Sequence, residues 1–194
     1  MNIINRIKQI ITSPKTEWEV INSENDSHVK VFTTYVALLA LIPAIASFIG
    51  KGIIGYNVLG FHYGSIGLGI RHAIIQYITM VGGVYLTAFV IDLLASHFGS
   101  RKSFDKAFSL VAYAYTPTFV GGIFYFYHPL SFLASLASLF SLYLLYVGLA
   151  PIMKTPSEKK TPYFVVSFLV MIAAFIVLSL VLGAILITGA ALNF

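Results

Sequence analysis

The chain has 194 residues, 58% of them hydrophobic and only 10% charged, with a mean hydropathy of +0.88, whereas a soluble domain carries about 25% charged residues. That balance excludes a water-soluble globular protein, and the lack of cysteine excludes disulfides, thiolate nucleophiles and thiolate metal sites. The formal charge of +5 sits between apolar runs and is read as attraction to a membrane surface rather than to nucleic acid.

Residues 2–12 set Ile3, Ile4, Ile7, Ile10 and Ile11 at helical spacing, with Arg6, Lys8 and Gln9 largely off that stripe. A basic amphipathic helix of this kind lies readily in the plane of a membrane interface. Its apolar residues are interrupted by charge, so a secretion signal is not expected. Ser13 and Pro14 mark a second helix start, with serine as cap and proline at the first helical position. Glu17 falls in its first turn, where the helix dipole favours it. Trp18 is expected as an interface anchor, and Glu24, Asn25 and Asp26 end the segment. Residues 1–30 therefore read as a cytoplasmic amphipathic segment resting on the inner leaflet, with a partner-binding face as the alternative.

Five apolar runs follow: Val31–Ile49, Ala73–Leu94, Ala107–Phe126, Leu130–Ile152 and Tyr163–Thr188. Each reaches or nearly reaches the ~20 residues that cross a bilayer core ~30 Å thick. They predict an all-α polytopic membrane protein with five transmembrane helices in one domain over residues 31–194. Pro43 predicts a kink in the first span. Residues 50–70 carry seven glycines among aromatic residues, too many for a stable helix. An outer loop folded against the bundle rim is the first expectation there and a re-entrant element the second. Gly60 and Gly64 have the spacing of close helix contacts. The short connector around His128 and Pro129 makes spans three and four a close antiparallel hairpin. Ser131, Ser135, Ser138 and Ser141 give span four a small-residue face, suited to helix packing or to a polar path. Pro156 and Pro162 are expected to stop regular structure before span five, whose surface looks largely lipid-facing.

Lysine and arginine alternate between the two sides. The pieces containing Arg6 and Lys8, Arg101, Lys102 and Lys106, and Lys154, Lys159 and Lys160 together hold ten, and the opposite side holds two. Short cytoplasmic loops concentrate basic residues, so the N-terminus is placed inside and the C-terminus outside, with the basic face toward anionic inner-leaflet lipid.

No zinc-protease, phosphate-loop or nucleophile-elbow motif is present. Neither an enzyme, a cofactor nor a metal site is expected. Asp92 is the one acidic residue set in an apolar run. A carboxylate there faces the bundle interior, a cavity or a partner. It reads as a structural pair with Arg101, Lys102 or Lys106, as a proton, ion or substrate site, or as a headgroup-exposed group. Tyr113, Tyr115 and Pro117 join it as the candidate polar site.

Three segments carry a family resemblance: SPKTEWEVINSE (Ser13–Glu24), FDKAFSLVAYAYTP (Phe104–Pro117) and SLYLLYVGL (Ser141–Leu149). In order and with five spans, they resemble the Yip1-domain family, including its bacterial branch. The family-like positions are Pro14, Trp18, Glu24, Tyr113, Pro117, Tyr143 and Gly148. The resemblance implies five membrane helices and a cytoplasmic N-terminus. Eukaryotic members are associated with vesicle traffic and small Rab-type GTPases, and their cytoplasmic heads are longer than the one here. The function expected is a non-enzymatic protein of the bacterial inner membrane that scaffolds partners or organises lipid. A small permease or channel with a polar site near Asp92 is the alternative. The expected partners are membrane lipids, and a protein partner or a second copy of the chain.

Overall fold

The computed structural model describes residues 2–58 and 61–191, with side chains over 2–55 and 63–177. The Gly60–Gly64 spacing falls partly outside the described residues. Two short helices open the chain, α1 (Ile3–Thr12) and α2 (Pro14–Ser23). Asn2 caps α1, its side-chain oxygen accepting from the Ile4 N–H at 3.0 Å. Pro14 stands at the start of α2, where its missing N–H is harmless. Ser13 precedes it but makes no side-chain cap bond, contrary to expectation. Five helices long and apolar enough to cross a membrane follow: His28–Ile54, Ile66–Phe98, Phe104–Phe126, His128–Met153 and Ser157–Val177. The last continues as a helix to Ala191. The fold is all-α apart from a small antiparallel hairpin, β1 (Tyr56–Val58) paired with β2 (Phe61–Tyr63).

Span three is the axis of the bundle. In its most apolar window 72% of residues are buried, against 17% for span five, which lies at the periphery. Leu110, Val111, Ala112, Ala114 and Phe119 of span three are fully buried. They meet Val36 and Ala40 of span one, Val84 and Ala88 of span two, and Leu144 and Leu149 of span four in one core. Large apolar side chains such as Leu38, Ile45, Ile78, Leu136 and Leu139 point outward, as lipid contact requires.

The glycine-rich stretch is divided rather than looped as one piece. Its first residues extend span one as a π-helical turn, Ile49–Ile54, and its last begin span two at Ile66, with the hairpin between them. Glycine is used here for approach. A side chain on Gly69 would collide with the backbone of Gly52, so the two spans touch main chain to main chain. Pro43 is buried inside a helical segment, and the interruption of span one falls at Ala40, three residues earlier. Pro162 does not stop span five: the helix starts at Ser157 and runs through it.

Of the serine face of span four, Ser138 and Ser141 pack against Thr118 of span three, whereas Ser135 is exposed. Ser141 accepts the Thr118 N–H at 3.1 Å and meets its hydroxyl at 2.8 Å. At the head end the two basic connectors are joined. The Arg101 N–H donates to the Met153 carbonyl at 2.7 Å, and Ser100 donates to Thr155 at 2.9 Å. Arg101, Lys102, Lys154 and Lys159 consequently form one exposed basic rim.

The amphipathic head departs most from expectation. Its apolar face packs on protein, with α2 lying against span four and α1 against the second half of span three. Ile10, Trp18 and Ile21 belong to the bundle core. Trp18 is fully buried and is therefore a core residue rather than an interface anchor. Its indole fills the gap opposite Gly148, where a methyl group would strike Trp18 and Leu110.

Candidate functional site

The most elaborate polar arrangement lies where the head meets the bundle. Arg6 is three residues after Ile3 and four before Ile10, so α1 turns it inward with them, and it is 5% exposed. Its guanidinium donates to Glu17 Oε1 and Glu24 Oε2, each at 2.5 Å. Glu17 is itself buried. The guanidinium also lies 5.1 Å from the centre of the Tyr113 ring, a cation–π contact. Burial opposes the Arg6 charge. The hydrogen bond to Glu24 and the negative potential of Tyr113, Glu24 and Glu17 outweigh it, so its pKa is raised. The stabilisation linked to that charge is fully present below the ordinary arginine range and is lost only above it, hence it holds at all physiological pH.

Lys106 seals the same junction from span three, its ammonium donating to the carbonyls of Asn22 at 2.8 Å and Glu24 at 3.1 Å. Asp105 accepts both the His28 N–H at 2.7 Å and the His28 ring at 2.6 Å. Of the expected inner-face cations, Arg6 and Lys106 are thus turned inward and hold the head. Lys8 is exposed, and Lys160 lies over the Tyr146 ring at 4.1 Å.

Beneath Arg6, span three is broken at Tyr115 and restarts at Thr116–Pro117. Proline has no N–H for the carbonyl four residues back, which is that of Tyr113. The Thr116 hydroxyl takes that carbonyl at 2.6 Å and meets the Tyr35 hydroxyl at 2.7 Å. Tyr35 rests edge-on against Tyr113, with ring centres 4.7 Å apart. A π-helical segment of span one, Phe32–Val36, carries Tyr35 into this position.

The family-like residues therefore converge from separate segments. Glu24 and Tyr113 share Arg6, Trp18 meets Gly148, and Pro117 makes the break below them. Tyr143 does not join them and is 47% exposed. Tyr35, Thr116 and the partnership of Arg6 with Glu17 escaped sequence reasoning. The signal for Arg6 was its heptad-like placement between Ile3 and Ile10; Tyr35 and Thr116 carried none.

The four members of the candidate polar site are not one site. Tyr115 turns to Thr87, the hydroxyls lying 3.1 Å apart. Asp92 is half-buried, and none of Arg101, Lys102 and Lys106 pairs with it among the described residues. Its Oδ1 is buried without a partner among them. Tyr163 does not serve it, because that hydroxyl donates to the Ile91 carbonyl at 2.5 Å. A charge partly removed from water without a counter-ion is costly. Asp92→Asn is therefore expected to leave the folded yield intact and to raise the melting temperature in detergent. A fall in yield would show that a cation holds the carboxylate.

Polar cavities lie at both ends of the bundle. The one under the head, about 260 Å³, is lined by Arg6, Glu24, Asp26, Lys30, Tyr35 and Tyr113 among others. The one at the distal end, about 460 Å³, is lined by residues including Lys51, His72, Gln76, Tyr125, His128 and Ser131. They share no lining residue, and Asp92 lines neither. No group of three or more His, Asp or Glu able to hold a metal occurs among the described residues. The side chain of His62 lies outside them.

A five-span helical bundle with its amino-terminal helices pinned beneath one end defines a polytopic membrane protein built around a broken central helix. The chain belongs to the Yip1 family, whose Yip1 domain matches residues 8–192. It is 33% identical over 131 residues to the inner membrane protein YohC of Escherichia coli strain K12, and likewise to YohC of Escherichia coli O6:H1. Each match covers 65% of this chain and 65% of the relative, so the chain spans just under two thirds of the curated relatives' length. No solved structure matches the chain.

Proposed function

We propose that the protein is a scaffold of the bacterial inner membrane that holds its cytoplasmic head in a fixed pose to present a surface to protein partners and anionic lipid. The observation that carries this reading is the buried Arg6–Glu17–Glu24 linkage. A head that merely floated on lipid would have no use for a buried ion pair, whose formation costs several kcal/mol of desolvation per ion. The linkage leaves Ile4, Lys8, Lys15, Glu19 and Val20 exposed. An inner-membrane location follows the name of the relatives, and a cytoplasmic N-terminus follows the charge bias. Residues 1–30 act as a head and residues 31–194 as the membrane domain.

The packed interior also favours scaffolding over conduction. Leu39, Ala40, Ala114 and Phe119 are almost wholly buried between the two end cavities. A permease reading keeps one specific observation, the unpartnered Oδ1 of Asp92. The space lined by its neighbour Ile91, with Thr87, Ser167 and Met171 among others, holds only about 10 Å³. That is scarcely enough for one water.

Photo-crosslinkers placed singly at Lys8, Glu19 and Val20 in the full-length protein in cells test the reading. Discrete protein adducts, including a second copy of the chain, are expected from these positions and not from the lipid-facing position Leu139. Solute flux through the purified protein in liposomes, abolished by Asp92→Asn, would replace scaffolding with transport.

A further inference from the structure

Among the described residues, the distal cavity holds a cation with no acidic side chain to match it. Lys51 comes from the π-helical turn that ends span one, and its ammonium lies 3.3 Å from Nδ1 of His72 at the start of span two. An ammonium only donates, so the imidazole accepts at Nδ1 and brings no negative charge. Nor does any acidic side chain. All seven Asp and Glu residues are Glu17, Glu19, Glu24, Asp26, Asp92, Asp105 and Glu158, and every one belongs to the head or to the head-side ends of the spans. None occurs between Asp26 and Asp92 or between Asp105 and Glu158, the stretches that build the distal end. Arg71, exposed beside His72, adds to the positive potential there.

Lys51 and His72 are both half-buried. A cation held in a partly enclosed, low-dielectric space is stabilised strongly by a counter-ion. The same wall offers neutral hydrogen-bonding groups, the Gln76 amide and the Tyr125 hydroxyl, whereas the Ser131 hydroxyl already donates to the His128 carbonyl at 2.7 Å. Such a set of one fixed charge with several neutral donors suits a tetrahedral oxyanion with acceptors on every side. We propose that this cavity binds a phosphate group, with Lys51 supplying the charge and His72, Gln76 and Tyr125 the orienting hydrogen bonds. The cavity of about 460 Å³ admits inorganic phosphate or the phosphodiester of a lipid headgroup from the leaflet at that end. This inference is independent of the scaffold reading.

The purified, delipidated full-length protein in neutral detergent tests it in two arms: calorimetric titration with inorganic phosphate, and native mass spectrometry after incubation with phosphatidylglycerol. Binding in the first arm alone identifies a free anion; binding in the second alone, or in both, identifies a headgroup. In whichever arm binds, Lys51→Met should weaken it at least about tenfold, as loss of one charge-assisted hydrogen bond implies. Lys51→Arg should retain it. Melting curves establish that both variants are folded, and an unfolded Lys51→Met is replaced by His72→Phe with Gln76→Leu. The proposal is overturned if the wild type binds in neither arm, or if the folded variant lacking these groups binds as the wild type does.

Discussion

Arg6→Ala is expected to release the head helices from the bundle and to lower stability by about 3–5 kcal/mol, the usual effect of removing one partner from a buried ion pair. The size follows from what is left behind. Glu17, whose side chain is 7% exposed, would hold a negative charge with its counter-ion gone, and Glu24 would lose the same partner. Tyr113 would lose the cation over its ring. Limited proteolysis of the detergent-solubilised protein should then cut within residues 1–27 while the five spans stay protected. Arg6→Lys should recover only part of the loss, because one ammonium cannot form the two-armed geometry of a guanidinium. Arg6→Met combined with Glu17→Gln should lose less than Arg6→Met alone, since no bare buried carboxylate remains at residue 17. Equal protease resistance of wild type and Arg6→Ala would show that the pair does not fasten the head.

Trp18→Ala carries the second large effect, about 3–5 kcal/mol, as expected for truncating a buried aromatic side chain. The cavity it leaves would open between α2, span three and span four, since Trp18 lies opposite Gly148 and Leu110. The reciprocal change, Gly148→Ala, overpacks the same spot and should cost about 1–3 kcal/mol. In the Trp18→Ala background that cost should shrink, because the added methyl then meets space in place of the indole, and a double-mutant cycle in detergent reads this coupling directly. Trp18→Phe should be milder than Trp18→Ala. It keeps most of the ring and removes an indole N–H that is buried without an acceptor among the described residues. Additive losses from Trp18→Ala and Gly148→Ala would mean that the two positions do not pack on each other.

These two sites also show how sequence reading divides from structure. The five spans were legible because crossing a bilayer imposes length and apolarity together, and few soluble segments satisfy both. The three family-like segments contain Trp18, Gly148, Glu24 and Tyr113, yet nothing in their order along the chain said that Trp18 would meet Gly148 or that Glu24 and Tyr113 would share Arg6. The distal cavity was less visible still: Lys51 and His72 are separated by the glycine-rich stretch, and only the crossing of Gly52 over Gly69 brings their helices together.

By itself, the sequence determined that this chain must live in hydrocarbon and which five runs are long and apolar enough to cross it, because transfer of apolar and charged groups between water and lipid is a property of composition and spacing. Tertiary structure alone decided which apolar surfaces meet protein and which meet lipid. Both environments reward the same side chains, so the stripe of α1 and the indole of Trp18 read equally well as membrane anchors until the bundle is seen to bury them. The same reason placed Arg6 inside: a charge beside an apolar stripe looks solvent-facing unless the carboxylates that neutralise it arrive from elsewhere in the chain.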